Sequence, residues 1–295
     1  MFIDEKIKEW IELDKYNWLE RKELLIKIKK LVKYCSTYEN DMLHIKMKEN
    51  FDIVLDNIES LANTLNFKTG IELIMLSGFL IHASYLSVTK EYSYQNDIVD
   101  IIMFLDDKPL LFALKIFSGF GNCRHVASFN KKVLDRFNIK NSIAGVDDVV
   151  EDFDICMMKL FLHNFHKKCT GCNHVINYIS ENDYDYFLDI TSSQAKIFGA
   201  CNQFACSIDE FDLAYPLYSY NYSLLNNEFI DYRKVPPITK EKANYLIKTA
   251  NATIIKCGKN KDLFEKFYLQ NIDNYRIINE NYNKVYEKEK KLKLI

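Results

Sequence analysis

The sequence predicts an α+β protein in which helical regions flank a smaller antiparallel sheet. Apolar residues recur at helical spacing near both ends of the chain, and two alternating segments within 173–190 are typical of a β-hairpin. The chain also has only 8 glycines and 4 prolines among 295 residues, which favours long helices over tight turns. We expect a helical region over 1–110, a core over 111–235 and a helical extension over 236–295.

The composition excludes several classes of protein. The 39 basic and 41 acidic residues give a net charge of -2, which argues against a broad phosphate-binding surface and therefore against a nucleic-acid partner. Hydrophobic residues make up 48%, close to the globular average, which excludes wholesale disorder. Eight cysteines without a signal-peptide pattern predict reduced thiols and a cytoplasmic location.

Helices are predicted first in the N-terminal region. Apolar residues between Ile7 and Val32 recur at helical spacings among lysine and glutamate, and the same pattern runs from Phe51 to Leu65. The uncharged run from Leu73 to Thr89 is shorter than the ~20 residues that a membrane span needs, and it contains polar side chains. We therefore expect a buried core helix there and no membrane span.

A turn and a further helix are predicted in the centre of the chain. The turn-prone stretch 118–122 contains two glycines, and a helical pattern begins directly after it. The apolar positions of that pattern are Cys123, Val126, Ala127, Val133, Leu134 and Phe137.

The predicted hairpin combines strands over 173–179 and 184–190, which flank the polar turn 180–183. A turn centred between Glu181 and Asn182 places His174 directly opposite Asp189 on one face of the sheet, with Cβ atoms about 4.5–5.5 Å apart. A turn shifted by one residue keeps both side chains on that face but places them diagonally.

The C-terminal region is predicted to be helical again. A helix is expected beyond Pro236 and Pro237, with Thr239 as its N-cap. The tail alternates lysine and glutamate around Tyr282 and Val285, a pattern typical of a solvated amphipathic helix.

Cys123 is the candidate nucleophile. The first turn of a helix presents unpaired backbone N–H groups and the positive end of the helix dipole, and both favour the reactive thiolate. Gly119 and Gly121 allow the backbone to approach a substrate carbonyl closely. The backbone N–H of Cys123 is the candidate donor to an oxyanion. His125 lies on the same helix with its side chain directed away from the thiol, so we expect it to contact substrate or to pack.

His174 and Asp189 complete a candidate triad with Cys123. A carboxylate that accepts the imidazole N–H fixes the tautomer, so that the other ring nitrogen can take the proton of a thiol. In chain order, the three residues are the nucleophile, the base and the group that orients the base.

The segments that carry these residues resemble the transglutaminase-like cysteine proteins, a branch of the papain-like fold. The family's nucleophile motif, Gly-x-Cys before a helix with a small residue one turn later, is matched by Gly121-Asn122-Cys123-Arg124-His125-Val126-Ala127. A histidine that begins a strand is matched by His174. An aspartate that ends the next strand, followed by a small residue and threonine, corresponds to Asp189-Ile190-Thr191, with Ile190 where the family usually has proline.

This resemblance implies a papain-like core, in which the nucleophile helix packs on an antiparallel sheet, with helical additions at both ends. It implies a cysteine hydrolase or acyltransferase that acts on a peptide or amide bond of a peptide or protein substrate, without cofactor or metal. Water as the acyl acceptor gives hydrolysis and an amine gives ligation, and the sequence does not choose between them. The alternative from a different class is a non-catalytic interaction module that has kept the fold.

A further alternative is a zinc-stabilised structural protein. Cys169 and Cys172 form a CxxC with His174 two residues further on, and Cys201 and Cys206 follow downstream. Cysteine and histidine are the usual ligands of tetrahedral structural zinc. The two interpretations exclude each other, because a histidine that binds zinc is not available as a base.

Overall fold

The computed structural model describes residues 42–90, 93–94, 113–146, 174–181, 184–188, 190, 221–223, 228–230 and 240–291. Within these residues the protein combines long helices with an antiparallel sheet, which confirms the expected mixture of helix and sheet. The boundaries expected between residues 110 and 111 and between 235 and 236 lie outside the described residues.

Five α-helices are formed by the described residues. They are α1 (Met42–Thr64), α2 (Gly70–His82), α3 (Cys123–Arg136), α4 (Lys240–Lys259) and α5 (Lys261–Lys291). Helix α1 covers most of the pattern predicted from Phe51 to Leu65, and α4 begins one residue after the expected N-cap position 239. A 3₁₀ turn, Ile116–Ser118, precedes α3.

Helix α2 is the buried core helix expected from the uncharged run. Twelve of its 13 residues are buried, because the helix packs against α3, α4 and the sheet. Thr69 caps its start in a capping box with Glu72. Among the helices described, none combines the length and the apolar character needed to cross a membrane.

Seven strands are described, and five of them form one antiparallel sheet. The strands are β1 (Ser93–Tyr94), β2 (Phe120–Gly121), β3 (Lys140–Val146), β4 (His174–Glu181), β5 (Tyr184–Leu188), β6 (Asn221–Ser223) and β7 (Glu228–Ile230). The sheet has the order β5-β4-β3-β6-β7, and β1 pairs with β2 in parallel as a separate short ladder.

Strands β4 and β5 form the predicted hairpin, in the second of the two predicted registers, with the turn shifted by one residue. A turn centred between Glu181 and Asn182 would pair Asn177 with Tyr186, whereas in the structure Tyr186 pairs with Ile179 and Asn177 with Leu188. The observed register brings the Tyr186 hydroxyl within 2.6 Å of a Glu181 carboxylate oxygen, to which it donates. That carboxylate also accepts the backbone N–H of Gly70 at 2.9 and 3.1 Å, so the register joins the hairpin to the start of α2.

One hydrophobic core unites the described parts of the three predicted regions. Helix α5 packs along α1, and α3 packs against α1, α2 and the sheet. An aromatic cluster lies where these helices meet, with ring centroids 5.3 to 6.2 Å apart; its members are Phe51, Phe117, Phe129 and Tyr275. The amphipathic tail helix therefore contributes a buried face to the core.

Helices α1, α2 and α3 end in the same backbone arrangement. Asn66, Ser84 and Asn138 have φ angles of 52°, 60° and 56°, and each donates its N–H to the carbonyl three residues earlier. The next residue donates to the carbonyl five residues earlier, which completes a Schellman motif at each end. Glycine is the usual residue at this left-handed position. This glycine-poor chain uses asparagine and serine instead.

Candidate functional site

Cys123 is the first residue of α3, as the sequence predicts, and it forms no disulfide bond. The N-cap is Asn122, whose side chain accepts the backbone N–H of Arg124 at 3.1 Å. The Cys123 side chain is only 1% exposed. The thiol therefore lies where the backbone N–H groups of the helix start converge, but beneath the protein surface.

The approach to Cys123 is a short turn followed by a two-residue strand. Gly119 ends the 3₁₀ turn with a φ of 80°, a conformation for which glycine is favoured. Phe120 follows in β2, pairs with Ser93 and leaves 46% of its surface exposed. An exposed aromatic side chain thus lies three residues before the buried thiol.

His125 stabilises the start of α3. Its Nδ1 accepts the backbone N–H of Asn122 at 2.8 Å, and the Asn122 side chain accepts the backbone N–H of His125 in return. A ring nitrogen that accepts a hydrogen bond carries no proton, so this contact assigns the neutral Nε2–H tautomer. Of the two roles expected for His125, the structure confirms packing.

Two buried asparagines tie α3 to β4, and sequence reasoning missed both. The Nδ2 of Asn130 donates to the Oδ1 of Asn177 at 2.9 Å, and the Nδ2 of Asn177 donates to the backbone carbonyl of Ala127 at 2.9 Å. Both side chains are almost completely buried. The only signal in the sequence is a polar residue at an otherwise apolar position of a helix and of a strand.

The start of α3 and the start of β4 lie at the same end of the sheet. Strand β3 runs back antiparallel to β4, and Val146 at its end pairs with His174. Asn177, three residues after His174, contacts the carbonyl of Ala127, which lies one helical turn after Cys123. The fold therefore brings the backbone positions of Cys123 and His174 to neighbouring elements.

The register that places His174 directly opposite Asp189 is wrong. The described ladder has the alternative register, with the turn shifted by one residue, for which the sequence predicts a diagonal placement of the two side chains. The directly opposed register requires Asn177 to pair with Tyr186, and Asn177 instead pairs with Leu188 because Tyr186 is held between Glu181 and the start of α2. Asp189 itself lies outside the described residues. The cysteines of the zinc alternative also lie outside them; they are Cys169, Cys172, Cys201 and Cys206. Within the described ranges, no group of three or more metal-ligating side chains occurs.

His82 is a buried histidine that lies far along the chain from every predicted site residue, yet it contacts the backbone directly after Asp189. It is the last residue of α2 and forms a hydrogen bond with the backbone of Ile190. Gly78, one turn earlier, allows this approach, since a Cβ there would lie 3.3 Å from the Cδ1 of Ile190. Helix α2 therefore holds the chain directly after Asp189.

Acidification should destabilise the protein through His82. Burial lowers the pKa of this histidine from 6.5 to about 4, so below pH 6.5 the unfolded chain binds a proton that the folded protein does not. We expect the free energy of unfolding to fall by up to about 3 kcal/mol between pH 6.5 and 4 from this group. Urea denaturation of the wild type and His82→Gln measures the effect. The free energy of unfolding of His82→Gln should fall less steeply with decreasing pH than that of the wild type. Equal slopes for the two proteins would contradict the expectation.

No family model, no curated protein and no solved structure matches this chain.

Proposed function

We propose that the protein is a transglutaminase-like cysteine hydrolase or acyltransferase with a papain-like core. Cys123 attacks the carbonyl carbon of a peptide or amide bond, and His174 takes the thiol proton and later delivers it to the leaving amine. Asp189 orients His174. The acyl group then passes from the sulfur to water in hydrolysis, or to an amine in ligation. The substrate is a peptide or protein, and the eight cysteines suit the reducing cytoplasm.

The observation that carries this proposal is the junction of α3 and β4. Cys123 occupies the first helical position, where the N–H groups that stabilise a thiolate and an oxyanion are found. The hydrogen bond from Asn177 to the carbonyl of Ala127 fixes that helix against the strand that begins at His174. Helix α3 therefore packs on the antiparallel sheet beside the strand that begins at His174, and this adjacency of the two backbone elements supports the proposal.

One observation favours the non-catalytic interaction module instead. The side chain of Cys123 is buried to the same degree as core residues, and a buried cysteine usually acts as a small hydrophobic residue. Such a residue needs no thiolate and no base. The reactivity of this thiol in the folded protein therefore separates the two functions.

Brief alkylation with iodoacetamide at pH 6 to 7 tests the proposal. Cys123 should react faster than the other seven cysteines, because only a thiol held as thiolate reacts quickly in this range. Cys257 is the matched internal control, since it is equally buried within α4 and burial raises the pKa of its thiol to about 12. Peptide mapping by mass spectrometry gives the rate at each cysteine.

Two outcomes count against catalysis. If Cys123 and Cys257 react equally slowly while the protein stays folded, Cys123 is a core residue and the interaction module is preferred. If Cys169 or Cys172 reacts first and Cys123 stays unmodified, the nucleophile has been assigned to the wrong cysteine.

A further inference from the structure

A cavity of about 470 Å³ lies between the loop that follows α2 and the first half of α5. Its volume is within the range of sites that bind small molecules. The residues around it that bear on its chemistry are His82, Ser84, Tyr85, Lys90, Glu265 and Tyr268. None of these six belongs to the proposed triad.

The cavity carries one positive and one negative side chain that do not neutralise each other. Lys90 comes from the loop and Glu265 from α5, and among the described residues no ion pair joins either of them to a partner. The ammonium of Lys90 instead lies 5.6 Å from the centre of the Tyr268 ring. Both charges are therefore available to a ligand.

Two tyrosine rings form apolar walls beside these charges. Tyr85 stacks on Phe79 with centroids 5.9 Å apart and lies 5.5 Å from Phe264, which fixes its position on the core. Burial and the neighbouring carboxylate of Glu265 raise the pKa of Tyr85, so its hydroxyl stays protonated at neutral pH. Tyr268 stands on α5 three residues after Glu265 and therefore on the same side of the helix.

The loop around the cavity adopts backbone conformations that its side chains disfavour. Ser84, at the left-handed position of the α2 Schellman motif, and Lys90, with a φ of 56°, both have positive φ angles without being glycine. The conformation of Ser84 belongs to the helix end, as at Asn66 and Asn138, whereas the positive φ of Lys90 lies outside any of these helix ends and costs on the order of 1 kcal/mol. Here both side chains belong to the cavity.

We propose that this cavity binds a free α-amino acid with an apolar side chain. The carboxylate of the amino acid pairs with Lys90, its ammonium pairs with Glu265, and its side chain lies against Tyr85 and Tyr268. Two opposite charges on the wall of one small cavity complement the two charges of a zwitterion, whereas a ligand with a single charge forms only one of the two charge contacts. The proposal is independent of the cysteine chemistry.

Calorimetric titration of the full chain with L-phenylalanine tests this assignment. The matched probes are 2-phenylethylamine, which lacks the carboxylate, and 3-phenylpropionate, which lacks the ammonium; each should bind about tenfold more weakly than L-phenylalanine. Lys90→Met should weaken the binding of L-phenylalanine and 3-phenylpropionate but leave the affinity for 2-phenylethylamine unchanged. Glu265→Gln should weaken the binding of L-phenylalanine and 2-phenylethylamine but leave the affinity for 3-phenylpropionate unchanged.

The control variants are Lys266→Met and Glu280→Gln, which change charges on α5 away from the cavity and should leave all three affinities unchanged. All four substitutions are at exposed positions, so the fold is retained. The assignment is overturned if L-phenylalanine does not bind the wild type at millimolar concentration, or if Lys90→Met and Glu265→Gln bind it as tightly as the wild type does.

Discussion

Cys123→Ala is expected to abolish the formation of a covalent acyl-enzyme while the protein stays folded. No other nucleophile is placed at the start of α3, so turnover should fall by about a thousandfold or more. His174→Ala should lower turnover nearly as far, because nucleophile and base act as a unit and their losses do not add. The fold should survive Cys123→Ala, since the change removes a single sulfur atom from the core.

Asp189→Asn should be milder than either of these changes. The amide keeps the shape of the side chain but can present a donor where the imidazole N–H needs an acceptor. Turnover of a peptide or amide substrate found by screening is the measurement, with circular dichroism as the test of folding. Cys257→Ala is the matched control and should keep full activity. Full activity in folded Cys123→Ala would refute the mechanism, and full activity in folded Asp189→Asn would remove only the orienting role.

Gly70→Ala is expected to be the most destabilising of the glycine-to-alanine substitutions in the described helices. A Cβ at this position would lie 2.8 Å from the hydroxyl oxygen of Tyr186 and 2.9 Å from the Cγ2 of Ile179, and both side chains are buried. The backbone N–H of Gly70 also donates to Glu181, so α2 cannot move away without loosening that contact. Overpacking of this kind costs about 1–3 kcal/mol.

Gly258→Ala provides the control for Gly70→Ala. A Cβ at Gly258, near the end of α4, meets no heavy atom within 4 Å. The substitution should therefore stabilise the protein by up to about 1 kcal/mol, because alanine loses less backbone entropy in a helix than glycine does. Urea denaturation of the two variants beside the wild type measures both effects. A Gly70→Ala variant as stable as Gly258→Ala would show that α2 and the hairpin are less tightly packed than the structure indicates.

Local patterns in the sequence predict the helices and the hairpin but not how they fit together. The start of α3 at Cys123 follows from the glycine turn and the apolar spacing after it, both of which are local. The register of the hairpin depends on Tyr186, whose hydroxyl donates to Glu181 and lies against Gly70, more than 100 residues earlier in the chain. Turn composition carries no information on such a contact, so the sequence leaves two registers open and the structure has the shifted one.

In the candidate site, too, the features set by local sequence could be predicted and the features set by tertiary packing could not. The helix-start position of Cys123 is local and could be predicted, whereas the burial of its thiol depends on the elements packed over it. The Schellman ends at Asn66 and Asn138 were also beyond prediction, because a single asparagine is compatible with many turns. Asparagines that pair across the core leave no periodic signal at all.

The amide chain between α3 and β4 has a consequence for the uniqueness of the folded state. Apolar side chains tolerate several alignments of a helix on a sheet at similar energy, but the amides of Asn130 and Asn177 and the carbonyl of Ala127 can pair in only one. A slip of one position would leave buried polar groups unpaired, at about 1–3 kcal/mol for each. The main effect of the two asparagines is therefore on specificity. They raise the energy of compact states with other alignments of α3 on the sheet, so that the native alignment is the populated one.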